Sequence, residues 1–261
     1  MPANYPVFPD KYKLPALLSA EDMIAFRRKH GGLADVAAPQ SAVICLYKGA
    51  MHRFGWKYPS RRLKGFLGDV YLVNRTQGRV AVLGGFGIGA PAITSIADEM
   101  MAWGVHHLVI FSLAGGLQSD LAPGSIVIAD RAIRDEGTSY HYLPPAKDVR
   151  GSASLVEALG KALERRGLAS TTGAVWSTDA PYRETHEEAA FFQGEGIKAV
   201  DMESAGVFAA AQLRAREAAS VFVIGDSLAG PRWSAPPDMR LLHQRLKSLL
   251  DALIQALNEL G

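Results

Sequence analysis

Val80-Ala81-Val82-Leu83-Gly84-Gly85-Phe86-Gly87-Ile88-Gly89-Ala90-Pro91 is the stretch on which the fold is read. An apolar run of strand length ends at Leu83, glycines turn the chain, and the pattern that follows predicts a helix over Ala90 to Trp103. The same alternation continues in both directions. Further strands are predicted at Ala42 to Tyr47, Val70 to Val73, His107 to Ile110, Ile126 to Ala129, Gly173 to Trp176 and Ala219 to Ile224. Helices are predicted at Ser154 to Arg166, Glu187 to Gly194, Glu203 to Arg214 and Asp238 to Leu260. The last carries Leu242, Leu246, Leu249, Leu253, Leu257 and Leu260 at three- and four-residue steps, a stripe built for packing. Compact strands alternating with amphipathic helices predict an α/β fold: one mainly parallel or mixed sheet covered by helices on both faces.

The rest of the chain narrows the class. Its 261 residues, 48% of them hydrophobic, suffice for the core of one α/β domain. Residues 1–40 read as a peripheral extension, held extended by Pro6, Pro9 and Pro15, with a short helix opened by Ser19-Ala20-Glu21-Asp22 and stopped at Gly31-Gly32. Residues 41–261 read as a single domain without a linker or repeat. A net charge of +2 gives no basis for binding nucleic acid or an anionic membrane. The start lacks the pattern of a signal peptide, and no uncharged apolar run reaches bilayer length. The single cysteine, Cys45, allows no intrachain disulfide and reads as a packed thiol. These features predict a cytoplasmic protein. His106, His107, His141, His186 and His243 show no metal-ligand spacing, so no metal site is expected.

In open α/β sheets, ligands bind beyond the carboxyl ends of the strands. Two glycine-bearing segments stand there, Gly84 to Gly89 and Phe111-Ser112-Leu113-Ala114-Gly115-Gly116, the second read as a loop. The first is spaced G-x-G-x-G, which departs from the dinucleotide fingerprint G-x-G-x-x-G. Later come Val200-Asp201-Met202-Glu203-Ser204-Ala205-Gly206 and Phe222-Val223-Ile224-Gly225-Asp226-Ser227. Carboxylates beside an apolar helix start and at the end of an apolar strand are costly unless they are bound by something. Asp201 and Glu203 have two readings: ligand contacts, or caps on the positive end of the next helix.

Together these segments resemble the nucleoside phosphorylase superfamily, which includes purine nucleoside phosphorylases, uridine phosphorylases and methylthioadenosine nucleosidases. Gly85 to Gly116 resembles its G-x-G-M-G-I-P, helix, G-V-x-x-I-I-R-x-G-[ST]-x-G-[GA] segment. Val175 to Tyr182 is similar to its base-site loop, Val200 to Gly206 to its V-E-M-E-x-A signature, and Gly225-Asp226 to its S-D. The four motifs stand in the family's order, and the resemblance covers roughly residues 40 to 258. It implies a three-layer α/β/α sandwich around a mixed, partly barrel-like sheet. It also implies a homo-oligomer of dimers or trimers of dimers, a nucleoside substrate with inorganic phosphate as co-substrate, and no other cofactor.

By the resemblance, Glu203 accepts hydrogen bonds from the ribose 2′- and 3′-hydroxyls and Met202 packs under the sugar. Asp201 stands where the family has a longer glutamate. Asp226 is the general acid toward N7 of a departing purine, assisted by Arg240. Trp176 stacks on the base, and Ile88 contributes from the glycine turn. The turn Lys48-Gly49-Ala50-Met51-His52-Arg53 resembles the phosphate loop, which makes Gly49 and Arg53 phosphate ligands. Arg61 matches an arginine that reaches a neighbouring subunit's phosphate. Two departures stand out. Ile110 and Leu113 replace a phosphate-binding arginine and a Ser/Thr. The glutamate that activates water in the nucleosidases is also missing from the aligned His52, Arg53 and Phe54. Phosphorolysis of a purine nucleoside is the expectation; hydrolysis, or nucleoside binding without turnover, are the alternatives.

Overall fold

The computed structural model describes residues 8–33, 35–52 and 54–260. In chain order the main elements are α1 (Ala20–Lys29), β1 (Ser41–Cys45), α2 (Lys48–Met51), α3 (Phe54–Lys57), β2 (Ser60–Leu63), β3 (Asp69–Val73), β4 (Val80–Gly84), α4 (Ala90–Trp103), β5 (His107–Gly116), β6 (Ile126–Asp135), β7 (Asp148–Arg150), α5 (Ala153–Glu164), β8 (Ser170–Thr178), α6 (His186–Gly194), β9 (Ala199–Asp201), α7 (Ser204–Leu213), β10 (Glu217–Ser227) and α8 (Met239–Glu259). The strands form one ten-stranded sheet in the order β10-β6-β8-β9-β5-β1-β4-β3-β2, with β7 appended to β6. Because β10 also pairs with β5, the strands β5, β9, β8, β6 and β10 close on themselves into a barrel. The arm running β1-β4-β3-β2 extends from it. The β1–β4, β1–β5, β5–β10, β6–β8 and β8–β9 pairs are parallel and the remainder antiparallel, so the sheet is mixed.

Successive residues of a strand face opposite sides of the sheet. In β5, Leu108 and Ile110 join the core roofed by α4 and α7, whereas Val109 and Phe111 join the core roofed by α5 and α8. Burial on both faces explains why these strands read as continuous apolar runs. The α8 stripe is buried from Leu242 to Leu257, while Leu260 lies exposed beyond it. A third, smaller cluster joins Trp176, Phe192, Ile133 and Val200 beside the barrel. Cys45 is buried, and burial pushes its thiol up to about 12.

Structure and sequence expectation differ in particular places. β5 continues through Gly116, so the segment from Phe111 is strand rather than loop. Its small residues keep a ladder because barrel closure supplies a partner on each side, β10 on one and β9 on the other. The strands β2, β7 and β9 and the short helices α2 and α3 have no counterpart among the predicted elements. Within the first forty residues, α1 is opened by a Ser19–Asp22 capping box and packs on α4. Its Ile24 enters the core, Arg27 pairs with Glu99, and Glu21 pairs with Arg214.

The helix α7 is apolar on nearly every face, which suits a helix enclosed between α4 and the sheet. Its Gly206 sits against α4: a methyl group there would overlap Thr94 Oγ1 and lie 3.3 Å from the Ala90 Cβ. Thr94 Oγ1 is itself buried without a hydrogen-bond partner among the described residues. Gly206→Ala is therefore expected to cost on the order of 1–3 kcal/mol, as overpacking does. Adding Thr94→Ala should recover most of that loss in thermal melts. A Gly206→Ala protein that melts like the parent would show that the two helices are not in close contact here.

Candidate active site

Three segments meet where β5, β9 and β10 end. β10 carries a register shift between Ile224 and Asp226, a bulge at Gly225 that turns Asp226 opposite Gly115. Bulges often re-aim a side chain in this way beside active sites. Gly115 is required by this crossing. A methyl group at its Cα would lie 2.5 Å from Leu228 Cδ1, 3.0 Å from Val200 Cγ1 and 3.2 Å from Asp226 Oδ1. Asp226 is thereby set next to β9, whose last residue leads into Met202-Glu203 and α7.

The two acids of that turn have separate employment. Asp201 accepts from the Ser177 hydroxyl at 2.5 Å, the Ser204 hydroxyl at 2.7 Å, the Ser204 N–H at 2.7 Å and the Glu203 N–H at 3.1 Å. It is the cap of α7, tied to β8 through Ser177, which in turn accepts from the Ala205 N–H. Ser220 lies 2.8 Å from Ser204 Oγ and extends the network to β10. Glu203 makes no capping bond. Its Oε1 accepts the Gly89 N–H at 2.6 Å, at the start of α4, and its Oε2 accepts the Met202 N–H at 3.3 Å. The carboxylate thus stands at the positive ends of two helices, where negative charge is favoured. Gly89 has φ +96°, a conformation that glycine adopts without strain and that turns its N–H to Glu203. Each Glu203 oxygen retains a free lone pair for a ligand hydroxyl.

Both carboxyls are held above their ordinary range. Burial is the main cause for Glu203, reinforced by the neighbouring Asp201 charge, and pushes it up to about 7. Burial also raises Asp201, against the lowering effect of its four hydrogen bonds. Asp226 is half-buried, and its Oδ2 accepts the Trp233 indole N–H at 2.7 Å. Neither Glu203 nor Asp226 is hydrogen-bonded by a cationic side chain among the described residues.

The other candidate residues are placed as follows. Met202 is half-buried next to Glu203, and Ile88 is 62% exposed on the glycine turn. Trp176 is 1% exposed; its ring packs on Phe192 at 4.7 Å and its N–H donates to Asp135 at 2.9 Å, so it forms interior wall. Arg240 lies exposed in the first turn of α8, without an ion pair to Asp226, and the place beside that carboxylate is taken by Trp233. Arg61 is exposed on β2. Gly49, in α2, borders a cavity of about 900 Å³ between α3 and α8, walled by Tyr47, Tyr58, Arg75, His243 and Lys247. That cavity contains neither Glu203 nor Asp226 in its lining. Arg53 lies outside the described residues. Ile110 is wholly buried in the core, and Leu113 is half-buried against Gly225 and the α8-side core. Trp233 was not singled out by sequence; an indole N–H donor shortly after a strand-end aspartate was the available signal.

A mixed sheet closed into a barrel, with a glycine turn and two acids beyond its strand ends, is the setting of an α/β enzyme acting on a small polar ligand. Residues 49–255 match the model of the phosphorylase superfamily, and the chain belongs to that superfamily. It is an enzyme of nucleoside phosphorylase type. A guanosine phosphorylase of Halorubrum lacusprofundi is 31% identical over 160 residues, which span 59% of this chain and 65% of that protein. A DeoD-type purine nucleoside phosphorylase of Exiguobacterium sibiricum is 25% identical over 208 residues, 73% of this chain and 86% of its own. Among solved structures, the P. knowlesi homologue of P. falciparum PNP superposes with a TM-score of 0.69 at 15% identity, covering 85% of this chain and 89% of that one. The AMP nucleosidase of Bacteroides thetaiotaomicron superposes with a TM-score of 0.66 at 21% identity, covering 83% and 87%. No helix among the described residues is long and apolar enough to cross a membrane.

Proposed function

We propose that this enzyme cleaves the N-glycosidic bond of a purine nucleoside with inorganic phosphate, releasing the free base and ribose 1-phosphate. The observation that carries the reading is the approach of Val200 of β9 and Asp226 of β10 at Gly115, with Glu203, three residues beyond Val200, held by the Gly89 N–H and Asp226 held by an indole N–H. The ionised Glu203 accepts the ribose 2′- and 3′-hydroxyls, with Met202 against the sugar. As the C1′–N9 bond breaks, the base leaves with the electron pair and Asp226 supplies the proton or hydrogen bond at N7. A phosphate oxygen forms the new bond to the oxocarbenium-like C1′. The Gly49–Arg53 turn, with Arg61 of a neighbouring copy in a homo-oligomer, holds that phosphate. The names of the guanosine and purine nucleoside phosphorylases support both purine and phosphate.

A second reading, hydrolysis, is favoured by one observation: at Ile110 and Leu113, β5 offers the nucleophile neither a charge nor a hydroxyl. The two are separated by incubating the protein with inosine, guanosine, adenosine, methylthioadenosine and uridine, with and without phosphate. Purine release that requires phosphate, with uridine untouched, is expected. Release at an undiminished rate in phosphate-free buffer would replace phosphorolysis by hydrolysis.

A further inference from the structure

We propose that the cavity between α3 and α8 is a second ligand site, which takes a nucleoside phosphate: a flat ring joined to an anionic phosphate ester. Its volume of about 900 Å³ is that of a small-molecule pocket. It opens on the face of the sheet opposite Glu203. Tyr58, Val73 and Leu250 of its wall belong to the core under α5 and α8, whereas Glu203 is held at the start of α4. The rings of Tyr47 and His243 meet at one side of the cavity, their centroids 5.7 Å apart and their planes tilted by 37°. Such a corner offers aromatic faces to a flat heterocycle. Arg75, from the 3₁₀ turn Asn74–Thr76 after β3, lies over the Tyr58 ring at 5.7 Å and pairs with Asp251 at 3.3 Å, so its guanidinium is oriented before any ligand arrives.

Charge selects the ligand. The wall carries Lys57, Arg75 and Lys247 against one carboxylate, Asp251, which Arg75 already engages. Lys57 on α3 and Lys247 on α8 are exposed, and among the described residues neither makes an ion pair. The sequence shows the same bias independently. From Lys48 to Arg79, the segment that supplies one side of the cavity, there are eight lysines and arginines and one acid, Asp69, in a chain whose net charge is only +2. A cleft lined by one sign of charge concentrates ligands of the other, and lysine and arginine are the usual partners of phosphate. Free phosphate would leave the aromatic corner empty, and a neutral nucleoside would cover the two lysines without giving them an anion. A nucleoside phosphate satisfies both walls.

The test measures binding of guanosine 5′-monophosphate by equilibrium dialysis to the parent, to the double variant Lys57→Gln/Lys247→Gln and to Glu203→Gln. The double variant should bind it about tenfold more weakly or worse, through loss of two charge-assisted contacts. Glu203→Gln should bind it as the parent does. Added salt should weaken the parent's binding, and an equal concentration of inorganic phosphate should not displace the nucleotide. Because both lysines are exposed and lie outside the acid cleft, thermal melts and kcat/KM for guanosine measured without nucleotide should match the parent. Three results would each overturn the proposal: no binding to the parent at millimolar nucleotide; binding lost in Glu203→Gln but kept in the lysine variant, which puts the nucleotide in the acid cleft; or displacement by equal phosphate, which makes the cavity a free-phosphate site. Binding is read without turnover, so the outcome does not depend on the reaction proposed above.

Discussion

Asp226→Asn is expected to slow purine release by ~10²–10⁴-fold, the range that a positioned general acid contributes, while changing nucleoside affinity less than about tenfold. Asparagine keeps the shape of the side chain. Its oxygen can still accept the Trp233 N–H, so the contact that now holds Oδ2 at 2.7 Å survives the exchange. What the amide lacks is a proton to give to N7. The variant therefore separates transfer of a proton from mere occupancy of the cleft. Trp233→Phe supplies the complement: it removes the indole donor, frees the Asp226 carboxylate, and should cost far less than the Asp226 change. Single-turnover rates measured beside equilibrium binding check both. Turnover by Asp226→Asn equal to that of the parent would remove Asp226 from the chemistry.

The legibility of this chain follows from where its information is local. The β4–α4 unit is written in one stretch: an apolar strand, a run of glycines, then an apolar-periodic helix, and the structure places α4 at Ala90–Trp103. Sequence alone ends β5 too early, because Ser112 to Gly116 have the composition of a loop. Their strand geometry comes from partners far away in sequence, β10 and β9, and barrel closure is not a local signal. β2 carries exposed Arg61 and Arg62 at the sheet edge and so lacks apolar alternation. β9 has only three residues, below the length at which periodicity means anything.

The site divides in the same way. Glu203 and Asp226 stand out in sequence because carboxylates interrupt apolar runs, and the structure brings their segments together around Gly115. Which of two neighbouring acids caps the helix was open in sequence, since Asp201 and Glu203 both flank the start of α7. The capping decision depends on Ser177 and Ser220, contributed by β8 and β10. Trp233 stands seven residues after Asp226, a local signal, but that its indole N–H meets the carboxylate is settled only by the turn between them.

The Asp201 network makes the second large effect predictable. Asp201→Ala leaves the Ser177 hydroxyl, the Ser204 hydroxyl and two backbone N–H groups without their acceptor in a buried place. Loss of a cap together with buried unsatisfied donors is worth on the order of 3 kcal/mol or more. Glu203, whose backbone N–H is one of those donors, should lose its position, so activity falls with stability. Asp201→Asn is the sharper probe, because it keeps an acceptor and removes the charge that helps raise Glu203. The sign of the pH effect is fixed by that raised value. An unfolded glutamate releases its proton near 4.5, whereas folded Glu203 retains it to about 7. Between those values the folded state binds more protons, so this group's contribution to stability is complete below 4.5 and declines as pH rises to 7, by roughly 3 kcal/mol. Denaturation at pH 5, 6, 7 and 8 should show that decline in the parent. The slope should shrink in Glu203→Gln, where raised Asp201 still contributes, and shrink in Asp201→Asn, where Glu203 stays raised by burial. The acid limb of the nucleoside KM, set by ionisation of Glu203, should move to lower pH in Asp201→Asn. A parent-like slope and an unmoved acid limb in Asp201→Asn would mean that Asp201 does not act on Glu203 through its charge, leaving it only the work of holding α7.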